Sequence, residues 1–315
     1  MPEYSVIICT YNRRALLERA LNSVVTQNMP ADTYEVLVVD NGSSDGTKPM
    51  VHDVQLSSPV SIKYLQEKQS GLSHARNTGI AAAQGHFVAF IDDDAVADLN
   101  WLTSLSLVYV EDPDVSLVGG KIELDWESNV PEGLAPELLR ALGKLDQGEG
   151  VFRVEPPLTL GGGNLSARRS VLEELGGFDV RLGRNSTTLL SGEENELLLR
   201  ATAADKVIYY TSKAVVYHFV PAARTDKQFL RRRAFWQGVS DIRIVRKHEG
   251  WKNAGKLLGR NLVRVPYHVG GWLLFAARGN LRKAFLWETF IWTTLGCCYG
   301  IHVVLGDKAN QPGSG

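Results

Sequence analysis

Four short apolar runs, at residues 5–10, 35–40, 61–65 and 87–92, stand out in the first third of the chain. Each is rich in β-branched or aromatic residues and bounded by Gly, Pro, Ser or charge, the pattern of a buried strand. Between them, residues 15–27 set Leu16, Leu17, Ala20, Leu21, Val24 and Val25 at helical spacing. Residues 46–56, 72–84 and 99–111 are predicted as further helices. This β-α-β-α order predicts an α/β fold built on a mostly parallel, doubly wound sheet.

The pattern changes after that. Residues 115–124 are strand-like, and 125–160 read as irregular, with Pro131, Pro136, Pro156 and Pro157. Residues 170–175 predict a short capped helix, 193–204 a longer one, and 206–218 a pair of strands. From about residue 225 the chain turns basic and aromatic, with a helix over 226–248 carrying Arg231-Arg232-Arg233. Residues 284–305 are apolar apart from Glu288, His302 and a few hydroxyls, with Trp287, Trp292 and Tyr299 among them. That length meets the criterion for a membrane span, but Glu288, His302 and Thr293-Thr294 weaken it. A helical hairpin packed on a membrane surface or on the protein is the expectation. These features divide the chain into residues 1–222 and a C-terminal helical appendage, 223–315, with peripheral membrane contact through 266–305. The tail at 310–315 is expected to fray.

Composition narrows the function. The formal net charge of -1 argues against general polyanion or nucleic-acid binding. Three cysteines, two of them adjacent at Cys297-Cys298, offer no metal-ligand spacing, which fits a reducing compartment. Tyr4 to Cys9 enters a strand with no basic or signal-like run before it, so a cytoplasmic location at the inner membrane face is expected. Candidate chemistry begins at Asp92-Asp93-Asp94, which closes the fourth apolar run. In an extended segment Asp92 and Asp94 point the same way and can share a ligand, while Asp93 turns aside. Paired carboxylate oxygens at a strand end suit Mn2+ or Mg2+ together with substrate phosphates.

Other polar clusters fall at neighbouring strand ends, where a parallel sheet gathers them on one rim. The ordered segments SVIICTYNR, EVLVVDNGSSDGT, GLSHARNTGI, FVAFIDDDA, GGGNLSARRSVLEELGGFD, GEENELLLR and VVYH resemble those of the inverting family 2 glycosyltransferases, over roughly residues 4–220. The resemblance implies the GT-A nucleotide-diphospho-sugar transferase fold, a nucleotide-sugar donor and a divalent metal. It implies that Asp40 reads the donor base, most readily uracil, and that Thr10, Tyr11, Asn12 and Arg13 line the nucleoside pocket. Arg76 would approach the diphosphate or support the acidic rim. Asp92 and Asp94 match the family's Asp-x-Asp element, with Asp94 the direct metal ligand and Asp93 counted on the donor side. His218 matches a position that helps hold the metal or the diphosphate.

Inverting transfer also needs a base for the acceptor hydroxyl. Where the family has Glu-Asp at a helix start, this chain has Glu193-Glu194, so position makes Glu194 the base and Glu193 its reserve. Gly161-Gly-Gly163 and Asn164 would form the floor beside the transferred sugar, since glycine lets backbone approach closely. Residues 180–192, rich in Ser, Thr and Asn, match the family's acceptor loop, which orders as donor binds. The arginine cluster and Trp236 would meet diphosphate or lipid headgroups, or form a solvated helix face. Gln228-Phe-Leu-Arg-Arg232 only begins to resemble the motif of processive synthases, which favours single addition to a glycan or lipid-linked acceptor. The alternatives are a metal-dependent nucleotidyltransferase, whose Gly-rich phosphate loop is missing here, and a non-catalytic nucleotide-sugar-binding module.

Overall fold

The computed structural model describes residues 2–309 except 132, 156–158 and 186. Pro156, Pro157 and the tail at 310–315 lie outside the described residues. Two compact units arise, neither a single run of chain: residues 1–125, 143–186 and 193–219 form one, and 126–142, 187–192 and 220–315 the other.

The first unit is built on a nine-stranded sheet. Strands β1 (Tyr4–Thr10), β2 (Tyr34–Asp40), β3 (Ser61–Gln66) and β4 (Phe87–Asp92) pair in parallel in the order β3-β2-β1-β4. Alternate residues of these strands face opposite layers. Val6, Ile8, Val36 and Val38 meet Leu17, Leu21 and Val24 of α1 (Arg14–Val25), Met50 and Val51 of α2 (Thr47–Ser57), and Trp101, Leu102 and Leu105 of α4 (Trp101–Glu111). Ile7, Leu37 and Val39 meet Ala75 and Ile80 of α3 (Leu72–Ala82), Leu172 of α5 (Arg169–Glu174) and Leu197 of α6 (Glu193–Ala203). Burial on both faces explains why the strands read as unbroken apolar runs. Each fully buried Leu, Ile or Val contributes about 1.5–3 kcal/mol relative to exposure.

Beyond β4 the sheet turns antiparallel, so it is mixed. β8 (Asn164–Arg168) runs antiparallel to β4, followed by β6 (Val115–Trp126), β9 (Val207–Val220) and β5 (Ala95–Ala97), while β7 (Val151–Arg153) pairs with β9. Two expectations are corrected here. The pair of strands expected over 206–218 is one long strand, β9 (Val207–Val220), whose two ends pair with β5 and β7. The stretch 125–160 holds β7 and a 3-10 helix at Pro136–Leu142.

In the second unit, α7 (Lys227–Ala277) breaks at Gly250, whose φ of 80° no helix accommodates, and α8 (Leu281–Ala309) returns beside it. The two backbones touch: a Cβ on Gly238 would lie 2.1 Å from the Thr293 carbonyl oxygen, and one on Gly296 1.8 Å from that of Phe235. Glu288 is held by Arg231 at 2.5 Å and by the Trp292 indole at 3.1 Å. No described helix is long and apolar enough to cross a membrane.

Candidate active site

Parallel pairing sets Thr10 beside Asp40 and Cys9 beside Asp92, so the acidic ends of β2 and β4 flank the end of β1. Past β4, a tight turn carries Asp93 and Asp94 into β5, whose Ala95 pairs with His218 of β9. Asp92, Asp94 and His218 thereby converge, each offering one ligand atom, all within 4.8 Å of one another. His218 Nε2 lies 3.3 Å from Asp94 Oδ1. Asp94 and His218 are buried, while the Asp92 carboxylate is one-third exposed. Asp93 lies in the same turn as Asp94 but outside this group of three. It is buried, accepting from the Thr10 hydroxyl at 2.8 Å and from Arg13 Nη1 at 2.8 Å. The same guanidinium nitrogen reaches Asp94 at 2.9 Å. Burial pushes the Asp93 carboxyl up, and Arg13 opposes that shift.

Arg76 joins this cluster to the start of α6. Its buried guanidinium donates to Glu193 Oε1 at 2.7 Å and lies 3.4 Å from Asp92 Oδ1. Burial works against its charge, but Glu193 and Asp92 more than offset that and raise its pKa. The ring of Phe178 lies 5.1 Å below the guanidinium. Gly162 and Gly163 cross this group at close range: a Cβ on Gly163 would lie 2.5 Å from Asp92 Oδ2, and one on Gly162 2.9 Å from Arg76 Nη2. Any larger residue would displace the acid or the guanidinium. When ionised, Asp92, Asp93, Asp94 and Glu193 outnumber Arg13 and Arg76 by two charges, the complement of one divalent cation. Two carboxylates and an imidazole with that excess fit Mn2+ or Mg2+.

The remaining residues sit in different settings. Asp40 is buried, accepting from the Tyr64 hydroxyl at 2.5 Å and the Ser43 N–H at 2.8 Å. Burial, with Asp40 beside it, raises Tyr64 to about 12, so the phenol stays a donor. Tyr64 was not foreseen as a site residue, since one tyrosine in a strand carries no separate signal. Asn12, at a φ of 50°, clamps the β1 loop: its N–H donates to Ser43 Oγ and its side-chain oxygen accepts from the Ser44 N–H. Tyr11 is exposed. Of the four residues expected to line the nucleoside pocket, Thr10 and Arg13 brace Asp93, and Asn12 secures a loop.

Asn164 is also committed elsewhere. It accepts from Trp101 Nε1 and donates to the carbonyls of Lys121 and Ala214, wholly buried, so it braces the sheet under the glycines. Glu194 follows Glu193 in the first turn of α6 and is the less buried of the two. Residues ahead of α6 are tied to the start of α3, with Ser73 donating to the Leu182 carbonyl and the Leu72 N–H to that of Arg184. The arginine cluster of α7 divides: Arg231 pairs with Glu288, Arg233 donates to Ser191, and Arg232 is exposed.

A family model described as glycosyl transferase family 2 matches residues 5–176. The chain is 32% identical over 240 residues to the glucosyl-dolichyl phosphate glucuronosyltransferase of Haloferax volcanii, covering 75% of this chain and 75% of that protein. It is 31% identical over 274 residues to glycosyltransferase AglE of the same organism, covering 87% and 81%. Among solved structures, the mannosyltransferase PcManGT from Pyrobaculum calidifontis, in complex with GDP-Man and Mn2+, superposes with a TM-score of 0.60 at 19% identity, covering 97% of this chain and 75% of that one. This last likeness is one of fold, the GT-A fold.

Proposed function

The chain belongs to glycosyl transferase family 2 and is a glycosyltransferase, and from that premise we propose metal-assisted, inverting transfer from a nucleoside-diphosphate sugar. The observation that carries this reading is the convergence of Asp92, Asp94 and His218 beside the buried Arg76. Asp92, Asp94 and His218 would hold Mn2+ or Mg2+, which when bound offsets charge gathering on the departing diphosphate. Arg76 keeps Asp92 in place, and Arg13 does the same for Asp93 and Asp94. Gly162 and Gly163 leave room beside these groups for the sugar.

The donor is a UDP-sugar in this reading. A carboxylate offers roughly four acceptor positions, of which Asp40 uses two, leaving it able to accept from the N3–H of uracil. In the transfer, the acceptor oxygen bonds to the anomeric carbon as the bond from that carbon to the diphosphate oxygen breaks. The hydroxyl proton passes to Glu194. Glu193 is committed to Arg76 through Oε1, which supports a holding role for it; Glu194, the next residue in the first turn of α6, is the base in this reading. A relative named for glucuronosyl transfer to glucosyl-dolichyl phosphate supports a lipid-linked glycan as acceptor.

Donor turnover and nucleotide binding, measured on the same variants, test the assignments. Glu194→Gln is expected to bind UDP with Mn2+ as wild type does and to lose turnover, and Asp94→Asn to lose both. Full turnover by Glu194→Gln, with loss in Glu193→Gln, would move the base to Glu193.

A further inference from the structure

The second half of α7 is apolar and exposed along one side. Leu262, Val263, Tyr267, Leu273 and Leu274 are 46–81% exposed. Spacings of four, seven and eleven residues put them on one side of the helix. Arg260 and Arg264 border that stripe, also exposed. From Gly250 to Trp287 the chain carries seven lysines and arginines and no aspartate or glutamate, although the whole protein has a net charge of -1. The positive charge is therefore gathered around the apolar stripe.

We propose that this face of α7, with the turn into α8, seats the protein on an anionic lipid bilayer. An exposed apolar stripe edged by cations, with a tyrosine, Tyr267, within it, is the pattern of a helix lying in the membrane interface. The helix rests on the bilayer and does not span it, since none is apolar enough to cross. A second copy of this chain is a poorer occupant, because it would bring the same positive charge to the contact. The inference stands on the second unit alone and needs no sugar chemistry.

Vesicle sedimentation of the full chain tests it, using phosphatidylcholine alone and phosphatidylcholine with phosphatidylglycerol. Binding to the mixed vesicles is expected, weaker to the neutral ones and falling as salt rises. Val263→Glu/Leu274→Glu and, separately, Arg260→Gln/Arg264→Gln should each weaken it by roughly tenfold or more. All four positions are exposed, so unchanged thermal unfolding by circular dichroism is expected, and the charge variant serves if the other misfolds. Absence of binding to mixed vesicles, or binding retained by both variants, would overturn the proposal. So would a dimer, seen by size exclusion, that Val263→Glu/Leu274→Glu dissociates, since the face would then belong to a second copy.

Discussion

The two ends of β1 and β2 use the same residue types to opposite effect. At the start of the strands, Ser5 donates to Glu35 at 2.7 Å, Lys63 reaches the other carboxylate oxygen at 2.7 Å, and the Gln84 N–H adds a third bond at 2.8 Å. Glu35 is buried and single, with both carboxylate oxygens bonded. Burial alone would raise its pKa, but Lys63, Ser5 and Gln84 hold it below the ordinary value of 4.5. At the far end, β4 and its turn deliver three carboxylates together, with two guanidinium groups among them. One end is balanced and locks strands to the helix before β4. The other keeps an excess of negative charge, which disfavours the empty fold and favours a cation. Stability and chemistry are thus divided between opposite ends of one pair of strands.

The largest expected effect comes from breaking the far end. Asp94→Asn should lower transfer by about 10³-fold while urea unfolding shows no loss of stability, since one like charge has been removed from the cluster. Glu35→Ala should do the reverse. It leaves the buried Ser5 hydroxyl without its acceptor and Lys63 without its acid, so unfolding should show a loss of about 2 kcal/mol, with nucleotide affinity retained. Arg76→Lys keeps the charge but reaches only one of its two acids, and a loss of about tenfold in turnover is expected. The smallest effect is Lys63→Met, below about 1 kcal/mol, because the lysine is more than one-third exposed.

Acid sharpens the contrast. The folded pKa of Glu35 lies below its unfolded value. Its ionic stabilisation is therefore full above about pH 5 and disappears as pH falls through the folded value. The stability difference between wild type and Glu35→Gln, followed by urea unfolding, should shrink on acidification. A gap that widens below pH 4.5 would contradict the assignment of Glu35 as an ionised, hydrogen-bonded group.

The parallel half of the sheet was legible because burial on both faces leaves unbroken apolar runs, and Asp92 to Asp94 end one of them. β8 was not, because its buried positions include Asn164 and Ser166, polar residues whose partners, Trp101 and Tyr109 among them, lie far off in sequence. β9 was expected as two strands, and its pairing with β5 at one end and β7 at the other shows it to be one. Within the site, strand alternation paired Asp92 with Asp94, and the family resemblance added His218, which the fold brings beside them. Neither told which polar groups were already spent: Thr10, Arg13, Asn12 and Asn164 are all engaged by neighbours distant in sequence. Glu35, one acid beside an apolar run, carried no sign that three donors would meet it.

The most direct measurement is calorimetric titration of UDP into the wild-type protein and Asp94→Asn, each with and without Mn2+. Binding by the wild type that requires Mn2+, and is absent in Asp94→Asn, is the expected result. Equal binding by both proteins, or none by the wild type with GDP, TDP and CDP also silent, would contradict a metal-assisted donor site at the end of β4.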